Sequence, residues 1–151
     1  MRIFPAHRGS PFARPAALLI DDPGLNTLTS GILGAAIEVH RRLGPGLLES
    51  IYTPCLRYEL ASRKLRFVAE RAVPIRYKDL LLESHYRIDL VVEDRVVVEV
   101  KSVDTLVRVY EAQVLTYLKL TGCPVGLLIN FNVSKLMTGV RRLLNPRPVQ
   151  A

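Results

Sequence analysis

A chain of 151 residues that is 49% hydrophobic can bury one core, which excludes a disordered polypeptide, and none of its apolar runs is long enough to cross a bilayer. Lys and Arg outnumber Asp and Glu by 21 to 14, and the resulting charge of +7 suits an anionic partner, although it also serves solubility alone. Cys55 and Cys123 lack the spacing of a zinc site or redox motif, so both read as reduced core residues of a cytoplasmic protein without structural zinc.

Residues 1 to 24 hold Pro5, Pro11, Pro15 and Pro23 with Gly9 and Gly24, show no sustained period, and read as a mobile basic tail. Arg2, Arg8 and Arg14 against Asp21 and Asp22 leave this tail at +1 and the rest of the chain at +6. The folded domain is expected over 25–146, with a short C-terminal tail at 147–151. From Thr27 the apolar positions Leu28, Ile32, Ala35, Ala36, Val39 and Leu43 recur at three and four, which predicts a helix capped by Thr27 or Thr29 and stopped by Gly44-Pro45-Gly46. A second helix is expected from about Leu47 to Lys64, with Leu48, Ile51, Tyr52, Cys55, Leu56 and Leu60 at helical spacing.

Phe67 to Tyr77 is rich in β-branched and aromatic residues and ends at the turn-like Lys78-Asp79, so it reads as a strand. Strands at about Ser84 to Val92 and Val96 to Ser102 complete an antiparallel meander, the last nearly all apolar as in a central strand covered on both faces. A helix from Leu106 to Thr121, stopped by Gly122 with Pro124 beyond, leads through a right-handed crossover to a buried parallel strand, Val125 to Phe131. A last short strand or helix is expected over Gly139 to Leu144. The order α-α-β-β-β-α-β makes an α/β fold, a mixed sheet flanked by helices.

Chemistry concentrates in the run from Arg87 to Lys101. Alternation along a strand turns Glu99 and Lys101 to one face and Val98 and Val100 to the other. If Glu93, Asp94 and Arg95 form a three-residue turn, Val92 pairs with Val96 and Asp89 falls opposite Glu99. Like charges directly opposite cost roughly 0.2–1 kcal/mol, and a divalent cation offsets that while giving the pair a use. Oxygen ligands from two strands suit Mg²⁺, with Mn²⁺ as the alternative, and Lys101 stands beside them for a water or a phosphate oxygen. The same letters also read as an exposed hairpin face with Glu99–Lys101 or Arg87–Asp89 ion pairs. Register decides between the two, because a one-residue slip sends Asp89 to the other side.

Three further groups have two readings each. Gln113 and Tyr117, at i and i+4 on a helix face shared with Tyr110, could hold a phosphate or a base, or be a solvent-facing amide and a core phenol. Glu49, in the first turn of the second helix, either serves the helix dipole or has a functional role, as a third carboxylate near the metal or as a group that positions the attacking water. His40, in the last turn of the first helix, fits a dipole partner better than a ligand.

The segment Gly44-Pro45-Gly46-Leu47-Leu48-Glu49-Ser50-Ile51-Tyr52 resembles the signature of the GxxExxY protein family, with Gly46, Glu49 and Tyr52 at the named positions. Tyr86-Arg87-Ile88-Asp89-Leu90, Val98-Glu99-Val100-Lys101, the stretch from Glu111 to Leu118, and Leu128-Ile129-Asn130-Phe131-Asn132 resemble later blocks of that family in its order. The resemblance covers about Leu28 to Asn145. That family is grouped with the PD-(D/E)XK nuclease-like superfamily, which implies a restriction-endonuclease-like core. It also implies that Asp89, Glu99 and the Val100 backbone carbonyl hold the metal, Lys101 is the catalytic lysine, Glu49 is the acidic residue of the preceding helix, and Gln113 with Tyr117 bind substrate. His40 and Tyr52 would support these groups from behind. Ile88 stands where the superfamily name has proline.

A metal-dependent nuclease acting on nucleic acid, with DNA favoured over RNA, is the first expectation. The second is a non-catalytic nucleic-acid-binding or partner-binding module on the same scaffold. A homodimer or protein partner would supply the substrate surface that so small a chain lacks.

Overall fold

Asp22 followed by proline is a helix start: an N-cap carboxylate and a residue with φ already fixed and no N–H to lose. In the computed structural model, which describes residues 22–146 except for the side chains of Ser84 and His85, the first helix α1 (Pro23–Leu43) begins there. Asp22 Oδ1 accepts the Leu25 N–H at 2.9 Å, and Oδ2 receives Arg95 at 2.7 Å. The expected cap at Thr27 or Thr29 is therefore corrected to Asp22, and residues 22–24 belong to the fold rather than to a tail. The remainder of both expected tails lies outside the described residues.

Gly44, at φ 69, closes α1 by donating its N–H to the His40 carbonyl at 2.7 Å. The second helix α2 (Glu49–Ser62) is shorter than expected because Leu48 is extended, at φ −77 and ψ 153. The strands β1 (Phe67–Tyr77) and β2 (Leu80–Val92) form a hairpin around Lys78-Asp79, with Lys78 left-handed at φ 52. β2 thus begins four residues earlier than its pattern suggested, since Leu80, Leu81 and Leu82 pair with Tyr77, Arg76 and Ile75. There follow β3 (Val96–Lys101), α3 (Arg108–Thr121), β4 (Val125–Asn130), a 3₁₀ turn over Leu136–Gly139 and β5 (Val140–Leu144).

The five strands lie in the order β1-β2-β3-β4-β5. The first three form the antiparallel meander, β4 is parallel to β3 by way of α3, and β5 is antiparallel to β4. The architecture is the expected mixed α/β sheet. Val96, Val98 and Val100 face a core shared with Ile32, Val39, Tyr52 and Leu56 of α1 and α2. Val97 faces a second core with Val114, Tyr117 and Leu118 of α3. Burial on both faces is why β3 is so apolar a run, and it makes Glu99 in its midst conspicuous. β1 and β2 stay paired far beyond the point where β2 leaves β3, so their outer half projects from the sheet as a two-stranded arm.

Candidate active site

The turn between β2 and β3 sets the site. Glu93 and Asp94 are left-handed, at φ 51 and 55, and the Arg95 N–H closes on the Val92 carbonyl at 3.0 Å. Non-glycine residues adopt that conformation at a cost, which Glu93 offsets through Arg66. Its N–H donates to the Arg66 carbonyl at 2.8 Å, and its carboxylate takes the Arg66 N–H and guanidinium at 2.8 and 3.0 Å. The result is the register Val92↔Val96, Val91↔Val97, Leu90↔Val98, with Asp89 next in line opposite Glu99.

There the backbone ladder ends and side chains take over. The Asp89 N–H donates to Glu99 Oε1 at 3.1 Å, and the Val100 N–H donates to Asp89 Oδ2 at 2.8 Å. Each carboxylate therefore grips the opposite strand while keeping an oxygen uncommitted to that strand. The N–H and C=O of one strand residue leave by the same edge, so the Val100 carbonyl faces the parting that its N–H spans. On the other flank the β1–β2 pairing skips from Ala69↔Leu90 to Arg71↔Ile88. The skip leaves Glu70, left-handed at φ 51, across from Asp89.

Electrostatics mark the same spot. Glu99 is only 4% exposed, and burial, followed by the like charge of Asp89, pushes its carboxyl up to about 8. Burial also raises Asp89, opposed by the Val100 N–H and by the charge of Lys101. Glu49 acts on both carboxyls through its negative charge. Lys101 stands at the end of β3 with Nζ 4.7 Å from the ring centroid of Tyr110 on α3. A buried and a half-buried acid that resist sharing their charge are a donor set suited to a hard divalent cation. Among the described residues no three His, Cys, Asp or Glu side chains gather into a metal-holding group. The oxygen atoms that face one another at the parting are those of the two carboxylates and the Val100 carbonyl, with the charge of Glu49 felt from α2.

Glu49 is brought there by a strap, residues 44–48. Gly46 is left-handed at φ 96, and the buried Tyr52 donates its hydroxyl to the Gly44 carbonyl at 2.5 Å while accepting the Leu47 N–H at 3.1 Å. The ring of Tyr52 stacks on Phe131 at 4.6 Å. Ser102 fastens the strap to the end of β3: its Oγ donates to the Leu47 carbonyl and its N–H to Glu49 Oε1 at 3.4 Å. Asn130, across from Lys101 on β4, holds the chain leaving β3 by accepting the Val103 N–H at 3.1 Å and donating to its carbonyl at 2.9 Å.

The structure brings Asp89, Glu99, Lys101 and Glu49 into one neighbourhood and sets Gln113 and Tyr117 behind it. Gln113 Nε2 donates to the Tyr117 hydroxyl at 2.9 Å, which donates in turn to the Arg87 carbonyl at 3.3 Å. Burial, then the Glu99 charge, raises the Tyr117 phenol above its ordinary value, so it keeps the proton it donates. His40 is taken up elsewhere, its Nε2 at 2.7 Å from the Val133 carbonyl, which ties α1 to the segment after β4. Sequence reasoning missed the work of Ser102 and Asn130. The one signal was a polar residue at the close of an otherwise apolar strand. Two cavities, of about 150 and 360 Å³, lie around Arg66, Phe67 and Glu93 and between α1 and α2 at Arg42, Cys55 and Tyr58, and none of the candidate site residues lines them.

A family profile described as the PD-(D/E)XK nuclease superfamily matches residues 26–143. No curated protein and no solved structure matches the chain.

Proposed function

The chain belongs to the PD-(D/E)XK nuclease superfamily, and on that premise we propose that it is a divalent-metal-dependent nuclease that hydrolyses phosphodiester bonds, in DNA before RNA. The spacing of Gly46, Glu49 and Tyr52, with a strap that uses all three, supports the GxxExxY group within that superfamily. Asp89, Glu99 and the Val100 carbonyl would hold Mg²⁺ or Mn²⁺. The bound cation supplies positive charge to the phosphate and makes a water a stronger nucleophile at neutral pH.

Lys101 orients that water and neutralises charge that grows on the phosphate oxygens, while the Tyr110 ring limits where its ammonium swings. Glu49 draws the water into line from the α2 side. Tyr117 is buried and its hydroxyl already engaged, so of that pair Gln113 touches the substrate and Tyr117 holds it in place. Cys55 and Cys123 are both unpaired, which suits a reducing cytoplasm.

The observation that carries this reading is the pair of hydrogen bonds from the Asp89 N–H to the Glu99 carboxyl and from the Val100 N–H to the Asp89 carboxyl, which holds one buried and one half-buried acid together beside a lysine. Purified protein incubated with plasmid, linear duplex, single-stranded DNA and RNA, each with Mg²⁺, Mn²⁺ or chelator, tests it. Cleavage is expected with metal alone, and Asp89→Ala and Lys101→Ala should each lower it by about 100-fold or more while the fold survives. Full activity in both variants overturns the assignment. Binding without cleavage by the native chain returns it to the class of non-catalytic modules.

A further inference from the structure

A cation on α2 is used by none of these roles. Arg57 lies just over two helical turns beyond Glu49. Its Nη2 comes to 4.0 Å from Glu70 Oε1, and Glu70 is the residue that stands across from Asp89 on the edge strand. The guanidinium therefore sits over the β1 side of the carboxylate pair, and its charge is felt at Asp89.

The way Arg57 is held does not resemble a finished structural contact. Its Nε is buried and has no hydrogen-bond partner among the described residues. The Glu70 side chain is 66% exposed and stops at the outer limit of an ion pair, whereas Arg66 and Arg95 close on their carboxylates at 3.0 and 2.7 Å. A buried donor left unmatched costs about 1–3 kcal/mol, so the contact with Glu70 leaves the guanidinium under-satisfied, and its terminal nitrogens are the ones an incoming acceptor would meet. The planar guanidinium fork matches two oxygens of a phosphodiester, and a substrate strand laid across Asp89 and Glu99 must bring such oxygens past this point.

We propose that Arg57 is a phosphate clamp: its guanidinium binds non-bridging oxygens of a nucleic-acid backbone phosphate on the β1 side of the Asp89–Glu99 pair. For its ligand class this rests on the nuclease reading. It does not rest on turnover, so binding tests it separately.

Fluorescence anisotropy with labelled single-stranded and duplex DNA, in chelator and across a salt series, compares the native chain with Arg57→Gln, Arg57→Lys and Glu70→Gln, after thermal melts show each to be folded. Arg57→Gln should weaken binding about fivefold to tenfold near physiological salt and reduce the slope of log K against log salt by about 0.7–0.9, the share of one phosphate. Arg57→Lys should restore the slope with only part of the affinity, because it keeps the charge and loses the fork. Glu70→Gln should bind at least as well as the native chain, since Glu70 competes for the guanidinium. In cleavage assays Arg57→Gln should raise KM and leave kcat within about threefold, as expected when a contact serves ground and transition states alike.

An Arg57→Gln protein with native slope and KM overturns the clamp. So does a Glu70→Gln protein that reproduces its loss, which makes Arg57 a structural partner, and so does a native chain that binds neither DNA probe. A native chain that binds with the expected slope and Arg57 dependence but cuts nothing sinks the nuclease reading and leaves the clamp standing. A native chain that cuts while Arg57→Gln is unchanged sinks the clamp alone.

Discussion

Glu99 bears an electrostatic cost that depends on pH. Burial and the neighbouring Asp89 hold its carboxyl up to about 8 in the folded chain, against 4.5 ordinarily. Between those values the unfolded chain has lost a proton that the folded chain keeps. The stability this contributes is complete below about 4.5 and is lost as pH rises through about 8. Asp89, also raised, acts in the same direction. In chelator, Glu99→Gln is expected to flatten most of that dependence, because its amide oxygen still accepts the Asp89 N–H and carries no charge at any pH. Urea unfolding near pH 8.5 should find the variant more stable than the native chain by several kcal/mol, with the difference vanishing near pH 4. A variant less stable at the higher pH would contradict the assigned cost. The pairing behind this cost was legible in the sequence, since a three-residue turn between alternating apolar positions fixes Val92 opposite Val96. The exchange of backbone bonds was not, because it requires the strands to part at Asp89 and no periodicity encodes a parting. Arg57, Ser102 and Asn130 escaped for a related reason: each acts on a segment remote in the chain.

Among the elements, the strap between α1 and α2 joins fold to chemistry. Gly44-Pro45-Gly46 was readable as a helix stop, but its second use, as a segment clamped by Tyr52 and fastened to Ser102, depends on where Phe131 and β3 lie. Tyr52→Phe keeps the stacked ring and removes the one hydroxyl that serves both the Gly44 carbonyl and the Leu47 N–H. The loss should cost about 1–2 kcal/mol in denaturant unfolding. It should also lower metal-dependent cleavage several-fold, because Glu49 and Ser102 lose their common anchor. A variant with native stability and activity would show that the strap holds without the phenol. The sequence misplaced two other element ends for local reasons. Asp22-Pro23 sits in a proline-rich stretch with no period, which hides a good cap followed by a good first residue. Lys78-Asp79 lacks the Asn-Gly or Asp-Gly signal of a two-residue hairpin, so the start of β2 at Leu80 was concealed.

At the scale of the whole molecule, the two cores meet on opposite faces of β3, and the site opens where β2 leaves it, between the start of α2 and the face of α3. A cation held by Asp89 and Glu99 would bridge the strands at the point where their own hydrogen bonds stop, so its binding energy would be energy of the folded state. A cation present at 100 times its dissociation constant should stabilise the chain by about 2.7 kcal/mol. For a domain of this size that is a rise in Tm of roughly 5–15 °C, larger at alkaline pH, where both carboxyls ionise more readily. Asp89→Asn and Glu99→Gln should each abolish the rise, and NaCl at equal ionic strength should not imitate it. The overall charge of +7 makes a contrasting demand: added monovalent salt should weaken nucleic-acid binding steeply while leaving more of the melting shift in place, because a buried and a half-buried carboxyl are screened less than surface charges. If Mg²⁺ or Mn²⁺ still raises Tm in both carboxylate variants, the cation is bound elsewhere, and Asp89 and Glu99 are paired acids with no metal to serve.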